Sequence, residues 1–284
     1  MELLSESNLN REVQKMNTRR RIIASVSVIL FFVCVFSSYV KAADTSLVLY
    51  YTFDKVDGAT VSDQSGNGFS GKIIGGVEFT KDGKSNGALS FDGKSGLVKV
   101  EDDDKLDLEG SYTVMAWAYP TMVDGGFRWI ADKSNSNADL NYILGISSNN
   151  GWRFITRLLT NDLLDATVVT TKTWYHVAGV QDSSKNQVYL YVNGKAVVNK
   201  GLTGTKTVND AYLSIGCRKD AGSPCQFFGG VIDEFTAFSR AFTEAEINKA
   251  MNGMMNFLAV NPNSSLAATW GKLKTQPIEQ RGER

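Results

Sequence analysis

The sequence predicts an all-β fold: two antiparallel sheets packed as a sandwich, with one short helix near the C-terminus. Three observations carry that expectation. From Leu47 onward, short apolar or alternating runs rich in β-branched and aromatic residues follow one another between clusters of Gly, Asn and Asp. These runs have no helices between them, which argues against the crossovers of a parallel sheet. Finally, Val188-Tyr189-Leu190-Tyr191-Val192, then Asn193-Gly194, then Lys195-Ala196-Val197-Val198 reads as a hairpin, because Asn-Gly supplies the positive φ values of a type I′ turn.

The elements follow in order. Arg19-Arg20-Arg21 precedes the apolar stretch Ile22 to Phe36 and a small-residue end at Val40-Lys41-Ala42, the layout of a secretory signal cleaved after Ala42. The competing reading is an uncleaved anchor, since Ile22 to Val40 is just long enough to cross a bilayer. Strands are expected at Leu47–Phe53, Lys72–Ile74, Ala88–Phe91, Leu97–Val100, Tyr112–Tyr119, Trp129–Lys133 and Tyr142–Ile146. Further strands are expected at Trp152–Arg157, Trp174–Val180, Gln187–Val192, Lys195–Asn199, Tyr212–Gly216 and Gly230–Phe238. Thr243 to Glu246 has the spacing of a capping box, and Ile247, Ala250, Met251 and Met254 continue as an apolar stripe. A helix is therefore expected there, packed against the edge of the sandwich. Residues 1–42 are read as a signal with an N-terminal extension, 43–255 as one domain, and 256–284 as a C-terminal extension.

Charge and composition remove several function classes. The chain has 30 Lys+Arg against 30 Asp+Glu, and residues 1–42 hold a net +3 of that balance, so the remainder stands at −3. No basic field exists to hold nucleic acid, and none is left for a membrane surface once the signal is removed. A single histidine leaves little material for a zinc site or a nucleophile–His relay. In an oxidising compartment, Cys217 and Cys225, which flank the turn-rich Asp220-Ala221-Gly222-Ser223-Pro224, are expected to close a small disulfide loop.

The order of the motifs resembles the LamG-like jelly-roll family of the concanavalin A-like lectin/glucanase superfamily. The matching residues are Leu49-Tyr50-Tyr51-Thr52-Phe53-Asp54, Asp63-Gln64-Ser65-Gly66-Asn67-Gly68, Ala88-Leu89-Ser90-Phe91-Asp92-Gly93 and Tyr112-Thr113-Val114-Met115-Ala116-Trp117. The series continues with Trp174-Tyr175-His176-Val177-Ala178, Val192-Asn193-Gly194-Lys195, Gly230-Val231-Ile232-Asp233-Glu234-Phe235 and Arg240 to Ile247. It covers about Leu47 to Met251. The resemblance implies a jelly roll, but not a ligand, because this fold carries sugar-binding modules, adhesion domains and glycan-active enzymes.

The residues argue against hydrolysis. A glycosidase needs two carboxylates flanking the scissile bond. Asp233 and Glu234 are adjacent, so regular strand alternation would point them to opposite faces. Glu101-Asp102-Asp103-Asp104 reads as a solvated run, Asp162 and Asp165 as loop residues, and His176 as structural. Asp63 and Asn67 stand in a loop of hard oxygen donors, and the resemblance implies a structural calcium tying such a loop to the closing strand, with Asp233 or Glu234 as further ligands. The same Asp and Asn can instead close an Asx-turn on their own backbone.

For ligand binding, Trp117 and Trp174 are expected in the core. Trp129 and Trp152, at loop–strand junctions, are the candidate sugar platforms, with Asn135, Asn137, Asp139 and Asn141 as polar partners. The expected function is a secreted, non-catalytic binding module for glycans or an extracellular or cell-surface partner. The alternatives are a glycan-active hydrolase or lyase and a purely structural or adhesive protein.

Overall fold

The structure, a computed structural model, describes residues 46–136, 139–156, 161–204, 208–220 and 223–260. Among the described residues, sheet I has eight strands. In spatial order they are β15 (Lys195–Gly201), β14 (Gln187–Val192), β13 (Tyr175–Asp182), β8 (Tyr112–Pro120), β19 (Gly229–Phe238), β6 (Ala88–Asp92) and β5 (Val77–Thr80), and β1 (Leu47–Tyr51) pairs the C-terminal half of β19. Sheet II, likewise among the described residues, has nine strands. These are β12 (Asn161–Val168), β11 (Gly151–Thr156), β10 (Leu140–Ile146), β9 (Arg128–Ser134), β16 (Leu213–Ile215), β7 (Leu97–Val100), β4 (Gly71–Ile74), β3 (Thr60–Val61) and β2 (Val56–Asp57). The two sheets form the expected antiparallel sandwich. Its predicted hairpin is β14–β15, with Val192 opposite Lys195 and with Asn193 and Gly194 at φ 49° and 79°.

Alternation decides what each strand buries. In β8, Tyr112, Val114, Ala116 and Ala118 enter the core between the sheets, which they share with Tyr142, Leu144, Trp152 and Phe154 of sheet II. The other face of β8 carries Met115, Trp117 and Tyr119. The sheets approach closely at Gly179, where a Cβ would lie 2.3 Å from the Phe154 ring.

The helices cover the outer face of sheet I rather than its edge. From α1 (Glu244–Met251) and α2 (Met254–Val260), Ile247, Ala250, Met254, Phe257 and Leu258 join a second apolar cluster with Leu47, Tyr50, Met115, Ala178, Val180 and Phe238. The capping box forms as predicted: Thr243 Oγ1 accepts from Glu246 N at 3.3 Å, and Glu246 Oε2 accepts from Thr243 N at 2.8 Å. Gly253, at φ 142°, turns the chain between the two helices. Met251, expected on the buried stripe, is half-buried.

Several expectations are corrected. Asp162 and Asp165 belong to strand β12: Asp162 takes both arms of Arg153, at 2.9 and 2.5 Å, and Asp165 is buried. The acidic run after β7 is not simply solvated. Lys133 is fully buried and needs compensating charge; it meets Asp102 at 2.7 Å and Asp107 at 2.9 Å, while Asp103 caps a 3-10 turn, Asp104–Leu106. The expected disulfide between Cys217 and Cys225 is not formed in this structure. In the hairpin β17 (Arg218–Asp220)–β18 (Ser223–Cys225), Cys225 lies opposite Arg218, so Cys217 stands one residue out of that register. Burial pushes the Cys217 thiol up to about 12.

Among the described residues, no helix is long and apolar enough to cross a membrane. The signal reading of residues 1–42 and the segment after residue 260 lie outside the described residues.

Candidate functional site

The site is built on the outer face of sheet I, where the helices stop. Along β8 this face runs Met115, Trp117, Tyr119; along β13 it runs Ala178, His176, with Trp174 just before the strand; along β19 it runs Thr236, Asp233, Val231. In register, Trp117 faces His176 on one side and Asp233 on the other, and Tyr119 faces Val231. The helices cover Met115 and Ala178. The two rows beyond are left half-open, so Trp117, Tyr119 and Trp174, all half-buried, form an aromatic row. Trp117 meets Trp174 edge to face, at 6.5 Å and 84°, and Tyr119 packs on Trp174 at a tilt, at 5.4 Å and 48°.

Two hollows flank this row. The helix-side hollow, about 460 Å³, is lined by Lys84, Trp117, His176, Glu234 and the α1–α2 turn through Asn252 and Asn256. Lys84 Nζ sits 4.2 Å over the Trp117 ring, a cation–π contact. The strand-side hollow, about 600 Å³, is lined by Glu78, Thr80, Asp82, Ser90, Tyr119 and Trp174. Carboxylate and hydroxyl groups thus stand around half-open rings.

A β-bulge sets the charge of the helix-side hollow. The pairing of β19 with β8 slips between Asp233 and Thr236, and Glu234 takes φ 51°. The extra residue overturns the expected alternation, and both acids stand on the outer face. Asp233 is fully buried and accepts from Ser85 N at 2.9 Å and Glu234 N at 2.8 Å. Glu234 accepts from the Tyr50 phenol at 2.6 Å. Burial, reinforced by neighbouring carboxylates, raises each to about 7. His176 is buried against Trp117 at 5.3 Å, with no hydrogen-bond partner at Nδ1 among the described residues, and burial pushes it down to about 3. The imidazole is therefore neutral at ordinary pH.

The sequence-predicted platforms lie elsewhere. Trp129 is fully buried on the outer side of sheet II; it stacks on Phe127 at 5.5 Å and donates Nε1–H to Gln226 Oε1 at 2.6 Å. Trp152 is in the inter-sheet core. Of their polar partners, Asn135 donates to Asp139 at 2.9 Å, Asn141 is fully buried, and Asn137 lies outside the described residues. The structure thus reverses the assignment of the tryptophans: Trp117 and Trp174 are the open pair. The readable signal was the small-residue face of β8, since Val114, Ala116 and Ala118 suit close inter-sheet packing and leave Trp117 and Tyr119 outside.

The expected calcium residues do not fit a cation shell. Asp63 Oδ1 accepts from Tyr50 N at 3.2 Å and Ser65 N at 2.8 Å, and its Oδ2 accepts from Ser65 Oγ at 2.7 Å and Phe69 N at 3.1 Å. Asn67 turns its Nδ2 toward Leu47 O and Val48 O, at 3.0 and 2.9 Å. Donors occupy the directions a cation would need. Among the described residues, no group of three or more His, Cys, Asp or Glu side chains is suited to a metal.

A family profile described as the concanavalin A-like lectin/glucanases superfamily matches residues 92–248, more than half of the chain. The chain belongs to the concanavalin A-like lectin/glucanase superfamily. No curated protein sequence matches it. Among solved superfamily-like folds, the binding domain of Paraclostridial Mosquitocidal Protein 1 aligns with a TM-score of 0.59 at 16% identity, over 75% of this chain and 53% of that one. Domain 4 of AbnA, a GH43 extracellular arabinanase from Geobacillus stearothermophilus solved with arabinotriose, aligns with a TM-score of 0.54 at 20% identity, over 72% of this chain and 97% of that domain. The binding domain of botulinum neurotoxin DC, in complex with rat synaptotagmin II, gives 0.52 at 15% identity, over 75% and 52%. The chain spans about half the length of these toxin domains, and at such identities the likeness is one of fold.

Proposed function

We propose that this protein is an exported, non-catalytic module that binds uncharged glycans on the outer face of sheet I. The observation that carries the reading is the half-open row Trp117–Trp174–Tyr119, flanked by the side chains of Glu78, Asp82, Ser90 and Glu234. Sugar rings present apolar faces that stack on aromatic rings and hydroxyls that need carboxylate and amide partners. Glu78 and Asp82 outnumber the one lysine, itself engaged over Trp117, and disfavour an acidic glycan. Export by the signal over residues 1–42 belongs to the proposal. The arabinotriose complex of the similarly folded arabinanase domain supports a sugar ligand.

The non-catalytic part rests on Asp233. A glycosidase needs two open carboxyl groups across the scissile bond. Asp233 is enclosed and both its oxygens accept backbone N–H groups, which leaves Glu234 as the single open member of the pair. The test is binding to a panel of immobilised neutral and acidic polysaccharides, with Trp174→Ala as the comparison. Retention on neutral glycans, lost in Trp174→Ala at unchanged secondary structure, is the expected result. Binding to no glycan overturns the sugar reading, and release of soluble sugar overturns the non-catalytic one.

A further inference from the structure

Resting on that glycan reading, we infer that the protein holds the end of a glycan chain, with the terminal sugar in the helix-side hollow and the next one on Tyr119 and Trp174. The order of features along the strands sets this arrangement. Tyr119, Trp174 and Val231 mark one row, Trp117, His176 and Asp233 the next, and Met115 and Ala178 the row already roofed by the helices. Neighbouring rows are two residues apart, about 6.7 Å, the scale of one sugar ring with its linkage. A chain laid over the strand-side hollow and along the aromatic row therefore runs into the α1–α2 turn, where Ala250 to Asn256 wall the hollow. It cannot continue in that direction.

The helix-side hollow has the chemistry of a sugar-sized pocket. The Trp117 ring lines it, with Lys84 Nζ 4.2 Å over the ring. Lys84 and the exposed Asn86, Asn252 and Asn256 offer donors and acceptors at its rim. On its wall, Tyr50 occupies one Glu234 oxygen, Oε2, which leaves Oε1 for a hydroxyl.

The experiment uses ladders of arabino-, xylo-, cello- and N-acetylchito-oligosaccharides with their parent polymers, titrated calorimetrically into the full chain. For the ladder that binds, one protein per oligosaccharide at every length, with affinity levelling off after the second or third sugar, is the expected outcome. Trp117→Ala should weaken that binding about tenfold or more, as loss of a central aromatic contact does. A number of proteins per chain that grows with chain length overturns end recognition while leaving the glycan reading standing. Unchanged affinity in Trp117→Ala, together with loss in Trp174→Ala, overturns the helix-side subsite. No binding to any ladder or polymer is the separate failure of the glycan reading, and end recognition falls with it.

Discussion

The phenol of Tyr50, on the first strand of the domain, donates to Glu234 Oε2 at 2.6 Å across 184 positions of sequence, while the backbone N–H of the same tyrosine donates to Asp63. One residue thus ties the first loop and the bulge of the last strand to β1. Both Glu234 and Tyr50 are buried enough that each favours its neutral form.

That burial sets a pH dependence. The Glu234 carboxyl is raised from 4.5 to about 7, so the folded chain keeps a proton that the unfolded chain has released. Its contribution is fully present below the unfolded value and is lost as pH rises through about 7, at ~1.4 kcal/mol per pH unit within the window. Glu234→Gln keeps an acceptor for Tyr50 and removes the titration. Urea unfolding from pH 4.5 to 8 should show a smaller decline in the variant, and at pH 8 the variant should be the more stable by ~1–3 kcal/mol. Parallel curves for the two proteins would contradict the raised carboxyl.

His176 works in the opposite direction. Its folded value, about 3, lies below the ordinary 6.5, so stability is present above 6.5 and is lost as pH falls toward 3. Because it is the one histidine in the chain, its proton resonances can be followed without assignment. They should stay at the neutral position from pH 8 down to 4. A midpoint near 6.5 in the folded protein would mean that the ring is solvated.

The tryptophans divide into two classes with separable readouts. Trp152→Ala empties a core site that touches the ring of Tyr175 at 5.4 Å, and should cost ~3–5 kcal/mol of stability by thermal or denaturant unfolding. Trp174→Ala removes a half-open ring and should cost about 1 kcal/mol, on the area it buries. A stable Trp152→Ala, or a collapsed Trp174→Ala, would reverse which of them builds the fold and which is free for ligand.

Most of the fold was legible because its signals are local. The Asn193-Gly194 turn, the capping box at Thr243 and the alternation of β8 and β13 each depend on a few neighbouring residues. The site was read poorly because it depends on contacts that no local pattern encodes. Trp129 looked open beside a glycine-rich turn, yet Gln226, 97 positions away, closes over it. Asp233 and Glu234 looked incompatible with one face until the bulge supplied an extra residue. Val77–Thr80 escaped notice as a strand because it is a short edge element, half or more exposed along its length.

A close approach of the two sheets gives the last prediction. Gly179 lies in β13 between Val114 of β8 and Leu190 of β14, facing the core, and a Cβ there would fall 2.3 Å from the Phe154 ring of sheet II. Every real Cβ contact is longer, so Gly179→Ala must push the sheets apart or force the ring off its rotamer, a cost of about 1–3 kcal/mol. Phe154→Leu alone loses ring contacts, including the edge contact with Tyr112 at 6.3 Å, and should also destabilise. Together the two changes relieve each other, since the smaller side chain opens the space the new methyl needs. The double variant should therefore be more stable than the sum of the single effects predicts, by at least ~0.5 kcal/mol in a double-mutant cycle of denaturant unfolding. Strict additivity would mean that the backbone, rather than the ring, absorbs the methyl group.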